Sequence, residues 1–332
     1  MSDKDQLGAK LTHADGAIMT YDVLSAPHFN SNKVPIVLIG GMTSLRGDWE
    51  RLVNVLAEVR PVNPNVNHHD HRGMGESTYT PEGDEEITIK LYARDILGLF
   101  NTHLKWPRLA IWGFSMRGAV AQQLLLLPYH KSSPAPLHPF EITRVFLTGT
   151  LASPMRDRRY SLKNGEKRSG EERKELVRPI LEGAFDESWM SDAKNRERFE
   201  SLLERMIGGS ALLHSWTCSI IPHSISKQII NLDFNAPHSC ISSSIPLLVI
   251  HGENDSVVPF FCNREILALI PHARAVGIGN ARGQVPSLKF GHQWFEYFDV
   301  KVWVGVVEEF MKTQGKLRET KIVKQSFERR FH

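Results

Sequence analysis

The stretch Leu109–Gln123, LAIWGFSMRGAVAQQ, decides how the chain is read. Leu109-Ala110-Ile111-Trp112 is a short apolar run of the kind that forms a buried strand. Gly113-Phe114-Ser115-Met116-Arg117-Gly118 follows without room for a loop, and Ala119 to Leu127 reads as a helix of good formers. A serine at a sharp strand-to-helix turn holds its hydroxyl clear of the sheet. The next backbone N–H then lies at a helix N-terminus, where it stabilises an oxyanion. The usual spacing of such an elbow is G-x-S-x-G. Here Arg117 takes the second glycine position and Gly118 comes one residue later. That displacement predicts crowding of the strand behind the serine, at about 1–3 kcal/mol of local strain.

Strands and helices alternate on both sides of the elbow. Val34–Ile39 is a continuous apolar run that ends in Gly40-Gly41-Met42-Thr43, and a helix follows with Trp49, Leu52, Val53 and Leu56 on one face. Val59–Asp70, VRPVNPNVNHHD, makes a poor strand, because Pro64 removes a ladder donor and the asparagines disfavour a buried, pleated site. Asp70–Ser77 is a glycine-punctuated turn, residues 87–103 form an amphipathic helix, Pro128–Pro139 is a loop, and Arg144–Thr148 is another short strand. Upstream, residues 7–25 alternate around His13-Ala14-Asp15-Gly16, the pattern of a hairpin at a sheet edge. The repetition predicts an α/β class with a parallel sheet and helices on both faces. It stops near Gly149. Residues 154–232 are helical in pattern and highly charged, with EERKELVRPILEGAF and NRERFESLLERMIGG as two helices whose charges form a solvated face. The strand pattern resumes at Ile245–Gly252, a further strand is expected within Ala273–Ile278, and Val300–Lys312 reads as the last helix.

At 332 residues the chain suffices for one large α/β domain with an insertion, and its 41% hydrophobic and 23% charged residues are ordinary for a soluble globular protein. A net charge of +3 is too small to imply a nucleic-acid partner. The polar start Met1–Asp5 is followed by no apolar run, and no stretch is long enough to span a membrane, so a cytoplasmic protein is expected. Cys218, Cys240 and Cys262 are widely spaced and read as reduced thiols. His68-His69-Asp70-His71 lacks the H-x-H-x-D-H spacing of metallo-hydrolases, and neighbours in a strand point to opposite faces, so neither a metal nor another cofactor is expected.

A serine nucleophile requires a base to take its proton and a carboxylate to orient that base. In a parallel sheet these belong at the carboxyl ends of strands. Asp255 lies just past the strand 247–251, in HGENDSVVP, and His292 lies in Phe290-Gly291-His292, before the last helix. Singly, each has a bland reading: a G-x-S-x-x-G run is common, Asp255 closes a turn, and His292 is one of 15 histidines. Jointly they stand in the order Ser, Asp, His.

With GGMTSLRGDW, DHRGMGES, GFSMRG, HGENDSVVP and GH in this order, the sequence resembles the α/β-hydrolase superfamily, in particular its fungal-type abhydrolase members. The resemblance runs from the hairpin to the last helix. It implies a mostly parallel eight-stranded sheet flanked by helices. The core would be residues 1–150 and 240–315, with a helical cap at 151–239 and a basic tail at 316–332. It also implies Ser115 as nucleophile, Asp255 as acid and His292 as base, with the Met42 and Met116 N–H groups as oxyanion hole. Asp70 and Arg72 match a structural turn of the family. The activity so implied is cofactor-free cleavage of a carboxylic ester or thioester of a small to medium apolar substrate, in small-molecule metabolism. Two alternatives stay open: a catalytically weakened, non-hydrolytic binding protein, favoured by Arg117 and the polar strand, or a triad used for C–C hydrolysis, lactone opening or acyl transfer.

Overall fold

The computed structural model describes residues 6–23, 33–41, 50–58, 62–63, 77–83, 86–132, 140–154, 170–208 and 232–312. Met42, Trp49, the residues of VRPVNPNVNHHD other than 62–63, the DHRGMGE turn, Cys218 and the basic tail lie outside them. In chain order the elements are β1 (Gln6–Thr12), β2 (Ile18–Val23), β3 (Ile36–Ile39), α1 (Glu50–Ala57), β4 (Val62–Asn63) and α2 (Ile89–Leu99). β5 (Arg108–Phe114), α3 (Met116–Leu126) and β6 (Glu141–Thr148) follow. After β6 come α4 (Gly170–Glu182), α5 (Glu187–Ser191) and α6 (Arg196–Gly208). The chain closes with β7 (Leu247–Ile250), α7 (Phe261–Leu269), β8 (Arg274–Ala275), β9 (Gly277–Ile278), β10 (Gln284–Val285) and α8 (Val300–Lys312).

The main sheet runs β4-β3-β5-β6-β7-β8, with every pairing parallel. The alternation of side chains along its strands divides the core in two. Val37, Ile39, Leu109, Ile111, Val145, Leu147, Leu247 and Val249 face α2, α3 and α7. Ile36, Leu38, Ala110, Trp112, Phe146, Leu248 and Ile250 face α1 and α8. Both faces are covered, which is why β3, β5 and β7 read as unbroken apolar runs.

Among the described residues the main ladder has six strands. β1 and β2 pair antiparallel with each other as a separate hairpin, and β9 and β10 form a second small ladder. β2 is tied instead to residues 77–78, through Thr78 N–H to Ile18 O (2.9 Å) and Thr20 N–H to Ser77 Oγ (2.9 Å). β4, the strand that the sequence marks as poor, pairs with β3 over only Val62 and Asn63 before Pro64. The region expected to hold one strand at 273–278 splits into β8 and β9.

The sheet order reverses between β3 and β5, since β4 lies on one side of β3 and β5 on the other. Such a switch point leaves a crevice at the carboxyl ends of the strands, where ligands bind in open α/β sheets. The elbow lies at the carboxyl end of β5, one of the strands at this switch point.

Between β6 and β7, which are adjacent in the sheet, the chain leaves the ladder and carries α4, α5 and α6. Val177, Leu181, Phe185, Trp189, Phe199 and Leu203 pack with Trp294, Phe295 and Tyr297 in the same apolar cluster as α8. These helices show charge outward, as expected, but their apolar faces are part of the core.

Candidate active site

β5 ends at Phe114 and α3 begins at Met116, leaving Ser115 alone at the turn with φ 56° and ψ −139°. A non-glycine residue in this region carries about 1–3 kcal/mol of strain and persists only when its surroundings over-determine it. Here they do. Ser115 N–H donates to Thr148 O (3.0 Å), Gly118 N–H donates to Ser115 O (2.9 Å), and Thr150 Oγ donates to the same carbonyl (2.6 Å).

The displaced glycine has a direct explanation. A Cβ at Gly118 would stand 2.3 Å from Thr150 Oγ1, so the close approach of α3 to the chain after β6 falls at position 118. The crowding expected at Arg117 is not what the structure shows. Its side chain is fully buried on the α2 side, where burial lowers the guanidinium pKa to about 10 and the Tyr92 hydroxyl pulls the other way. It therefore remains a cation at neutral pH.

All of α3 is buried. Its two glutamines hydrogen-bond within the fold through their amide nitrogens: Gln123 Nε2 meets His130 Nε2 at 3.1 Å, and Gln122 Nε2 donates to Gly118 O (3.1 Å) and Leu151 O (3.0 Å).

The structure brings the three candidate residues of the sequence together. His292 Nε2 lies 2.9 Å from Ser115 Oγ, and His292 Nδ1 lies 2.8 Å from Asp255 Oδ2. A carboxylate oxygen only accepts, so Nδ1 carries the proton and Nε2 accepts from the serine hydroxyl. The other carboxylate oxygen, Oδ1, accepts from the N–H groups of Val257 (3.0 Å) and Val258 (2.8 Å). All three residues are buried. Met116 is the first residue of α3, and its N–H has no intrahelical acceptor. Met42 lies outside the described residues.

Four neighbours of this triplet were not legible as such in the sequence. Gly149 has φ 49°, and a Cβ there would stand 3.2 Å from Asp255 Oδ2 and 3.4 Å from His292 Nδ1. A glycine directly after a buried strand is the only sequence signal of it. Thr150 holds the Ser115 carbonyl. Phe114 lays its ring against the His292 imidazole, with centroids 4.8 Å apart. His251 Nε2–H donates to Val258 O (2.8 Å) and lies 3.5 Å from Asp255 Oδ2. Burial pushes the His251 imidazole below the ordinary histidine value, against the opposing pull of Asp255. A neutral histidine thus underlies the turn that holds Asp255.

No family model and no curated protein matches the sequence. Solved structures do match over nearly the whole chain. An esterase from Exiguobacterium antarcticum has a TM-score of 0.60 at 18% identity, covering 92% of this chain and 100% of that one. The enol-lactonase from Burkholderia xenovorans LB400 has a TM-score of 0.62 at 21% identity, covering 92% and 100%. An α/β hydrolase from a Medee basin deep-sea metagenome library has a TM-score of 0.61 at 16% identity, covering 94% and 100%. The chain has the α/β-hydrolase fold.

Proposed function

We propose that this chain is a serine hydrolase that cleaves a carboxylic ester or thioester of a small to medium apolar substrate. The observation that carries the reading is the hydrogen-bonded run Ser115–His292–Asp255, with separations of 2.9 and 2.8 Å. In this reading His292 Nε2 takes the Ser115 proton as Oγ attacks the substrate carbonyl. Asp255 fixes the imidazole by accepting from Nδ1–H and stabilises the imidazolium that forms. The oxyanion is held by the N–H groups of Met116 and Met42. His292 then protonates the leaving alcohol or thiol, and the acyl group remains on Ser115. Water, losing its proton to the same Nε2, attacks the acyl-enzyme, and the acid departs as the proton returns to Ser115.

In the same reading residues 1–150 and 240–315 form the core and 151–239 an insertion. Support comes from the adjacency of β6 and β7 in the sheet, with α4–α6 between them in sequence. No described helix is long and apolar enough to cross a membrane. The free thiols of Cys240 and Cys262 agree with a cytoplasmic location. A second reading, lactone opening, uses the same steps with the alcohol tethered to the acyl group. The likeness in fold to an enol-lactonase favours it.

Treatment with a fluorophosphonate followed by digestion tests the nucleophile. The adduct is expected on the Ser115 peptide and absent from folded Ser115→Ala. An unlabelled, folded wild-type protein would overturn the proposal. A panel of p-nitrophenyl esters, acyl thioesters and lactones then separates the first reading from the second.

A further inference from the structure

The turn between α4 and α5, residues 183–186, touches both loops that carry the candidate acid and base. On the acid loop, Ser256 Oγ donates to Gly183 O (2.5 Å), and the Asn254 side chain is near enough to the Asp186 carboxylate to favour its ionised form. These residues flank Asp255 on either side. On the base loop, Gln293 N–H donates to Ala184 O (3.1 Å), and Tyr297 Oη donates to Asp186 Oδ2 (2.6 Å). The Tyr297 hydroxyl in turn accepts from Asp186 N–H (3.1 Å), so phenol and aspartate are joined by two hydrogen bonds. Gly291, directly before His292, admits no side chain, since a Cβ there would stand 2.8 Å from Ala184 O and 2.9 Å from Tyr297 Oη.

We infer that Asp186 is a positioning residue: together with Tyr297 it clamps the acid and base loops onto the α4–α5 turn and so sets the Asp255–His292–Ser115 alignment. This rests on the hydrolase reading above and deepens it. The insertion then does more than bound a substrate pocket, because one of its turns determines whether the base is aligned. Burial pushes the Asp186 carboxyl up, but hydrogen bonds from Ser188, Tyr297, Trp189 N–H and Asn254 outweigh it and hold the group below the ordinary carboxylate range. It is ionised at neutral pH and accepts from Ser188, Trp189 N–H and Tyr297.

Asp186 also caps α5, through Oδ1 to Ser188 N–H (2.9 Å) and Trp189 N–H (3.1 Å), so a purely structural role must be separated from positioning. Asp186→Asn does so. Asparagine caps a helix as well as aspartate but cannot accept from Tyr297 through its Nδ2. In the full chain, with p-nitrophenyl butyrate, we expect Asp186→Asn to keep its Tm while kcat falls about 10- to 100-fold at unchanged KM. The rate of fluorophosphonate labelling should fall in parallel. Tyr297→Phe should show the same loss, and the double variant no further one, as for two residues that act through one contact. Wild-type labelling and turnover with Asp186→Asn equally active would overturn the inference and leave the hydrolase reading intact. An unlabelled wild type would overturn the hydrolase reading. The inference would then be read from the proton NMR signal of His292 Nδ1–H, assigned by its loss in His292→Ala. A shifted or broadened signal in Asp186→Asn supports the clamp, and an unchanged one overturns it.

Discussion

Ser115 and the two residues on either side of Arg117 show how little room the elbow leaves. Ser115 is held in a left-handed conformation by three hydrogen bonds, two of them to its own carbonyl. Thr150 supplies one of these two and also occupies the space beside Gly118. Gly118→Ala therefore pushes on the group that fixes the serine. Overpacking of this kind costs about 1–3 kcal/mol, and the labelling rate of Ser115 should fall with it. Arg117→Gly tests the opposite expectation, that a smaller residue would relieve the elbow. Arg117 is fully buried and points toward Tyr92. Removing it leaves a cavity and puts glycine in the first turn of α3, so stability should drop by about 2–4 kcal/mol. Chemical denaturation of both variants decides, and a gain in stability for Arg117→Gly would revive the crowding view. The sequence marks the missing glycine at 117 but not the direction of its side chain. That direction depends on which residue of α3 leans on the chain after β6. Ser115 and Asp255 were legible because each follows a main-sheet strand that is itself legible, and the parallel sheet brings those strand ends together; His292 was legible only from its place before the last helix, since β10 ahead of it belongs to a separate ladder.

At the scale of elements, α3 links the elbow to both ends of the segment between β6 and β7. Gln122 donates to Leu151 O, where the chain leaves β6, and its Oε1 accepts from His238 Nε2–H (2.9 Å), where the chain returns toward β7. Since the amide nitrogen is committed to two carbonyls, its oxygen faces His238, and His238 must carry its proton on Nε2. Burial lowers the His238 pKa to about 4 from the ordinary 6.5. The unfolded chain therefore takes up a proton as pH falls through 6.5, while the folded one resists until about 4. Stability from this group is complete above 6.5 and is lost as pH falls toward 4, a change of roughly 3 kcal/mol. His238→Gln keeps a donor and removes the titration. Between pH 7 and pH 4 the Tm of the wild type should fall further than that of His238→Gln; parallel curves would exclude His238 as the source. None of this was legible from the sequence, because Gln122 and His238 are 116 residues apart. By contrast, α2 was legible from its amphipathic spacing, and its start is fixed by Thr88, whose Oγ accepts from Leu91 N–H (3.1 Å).

For the molecule as a whole, the division between core and insertion is one of sequence more than of packing. Charged, strand-free residues after Gly149 read as a separate layer, and the described helices α4–α6 do carry that charge on their outer faces. Their inner faces are another matter. Phe185 stacks on Trp189 (3.8 Å), and both lie against Tyr297, while Trp294 stacks on Trp112 of β5 (5.1 Å) and meets Trp303 of α8 (4.7 Å). A continuous aromatic layer thus runs from the insertion through the base loop into the sheet. Ion pairing follows the same line. Glu296, whose side chain is 1% exposed, is gripped by Arg198 of α6 (Nε to Oε2, 2.9 Å) and lies 3.9 Å from Arg51 of α1. Losing α4–α6 would expose the aromatic layer and leave a buried carboxylate with one distant partner, a state with no stability of its own. The insertion and the core should therefore melt together. Calorimetry is expected to show one transition with calorimetric and van't Hoff enthalpies equal. Inactivation of p-nitrophenyl ester hydrolysis should track that same transition. A separate low-temperature transition that unfolds helix while the sheet persists would show instead that α4–α6 are an independent unit, and that the aromatic layer does not bind them to the sheet.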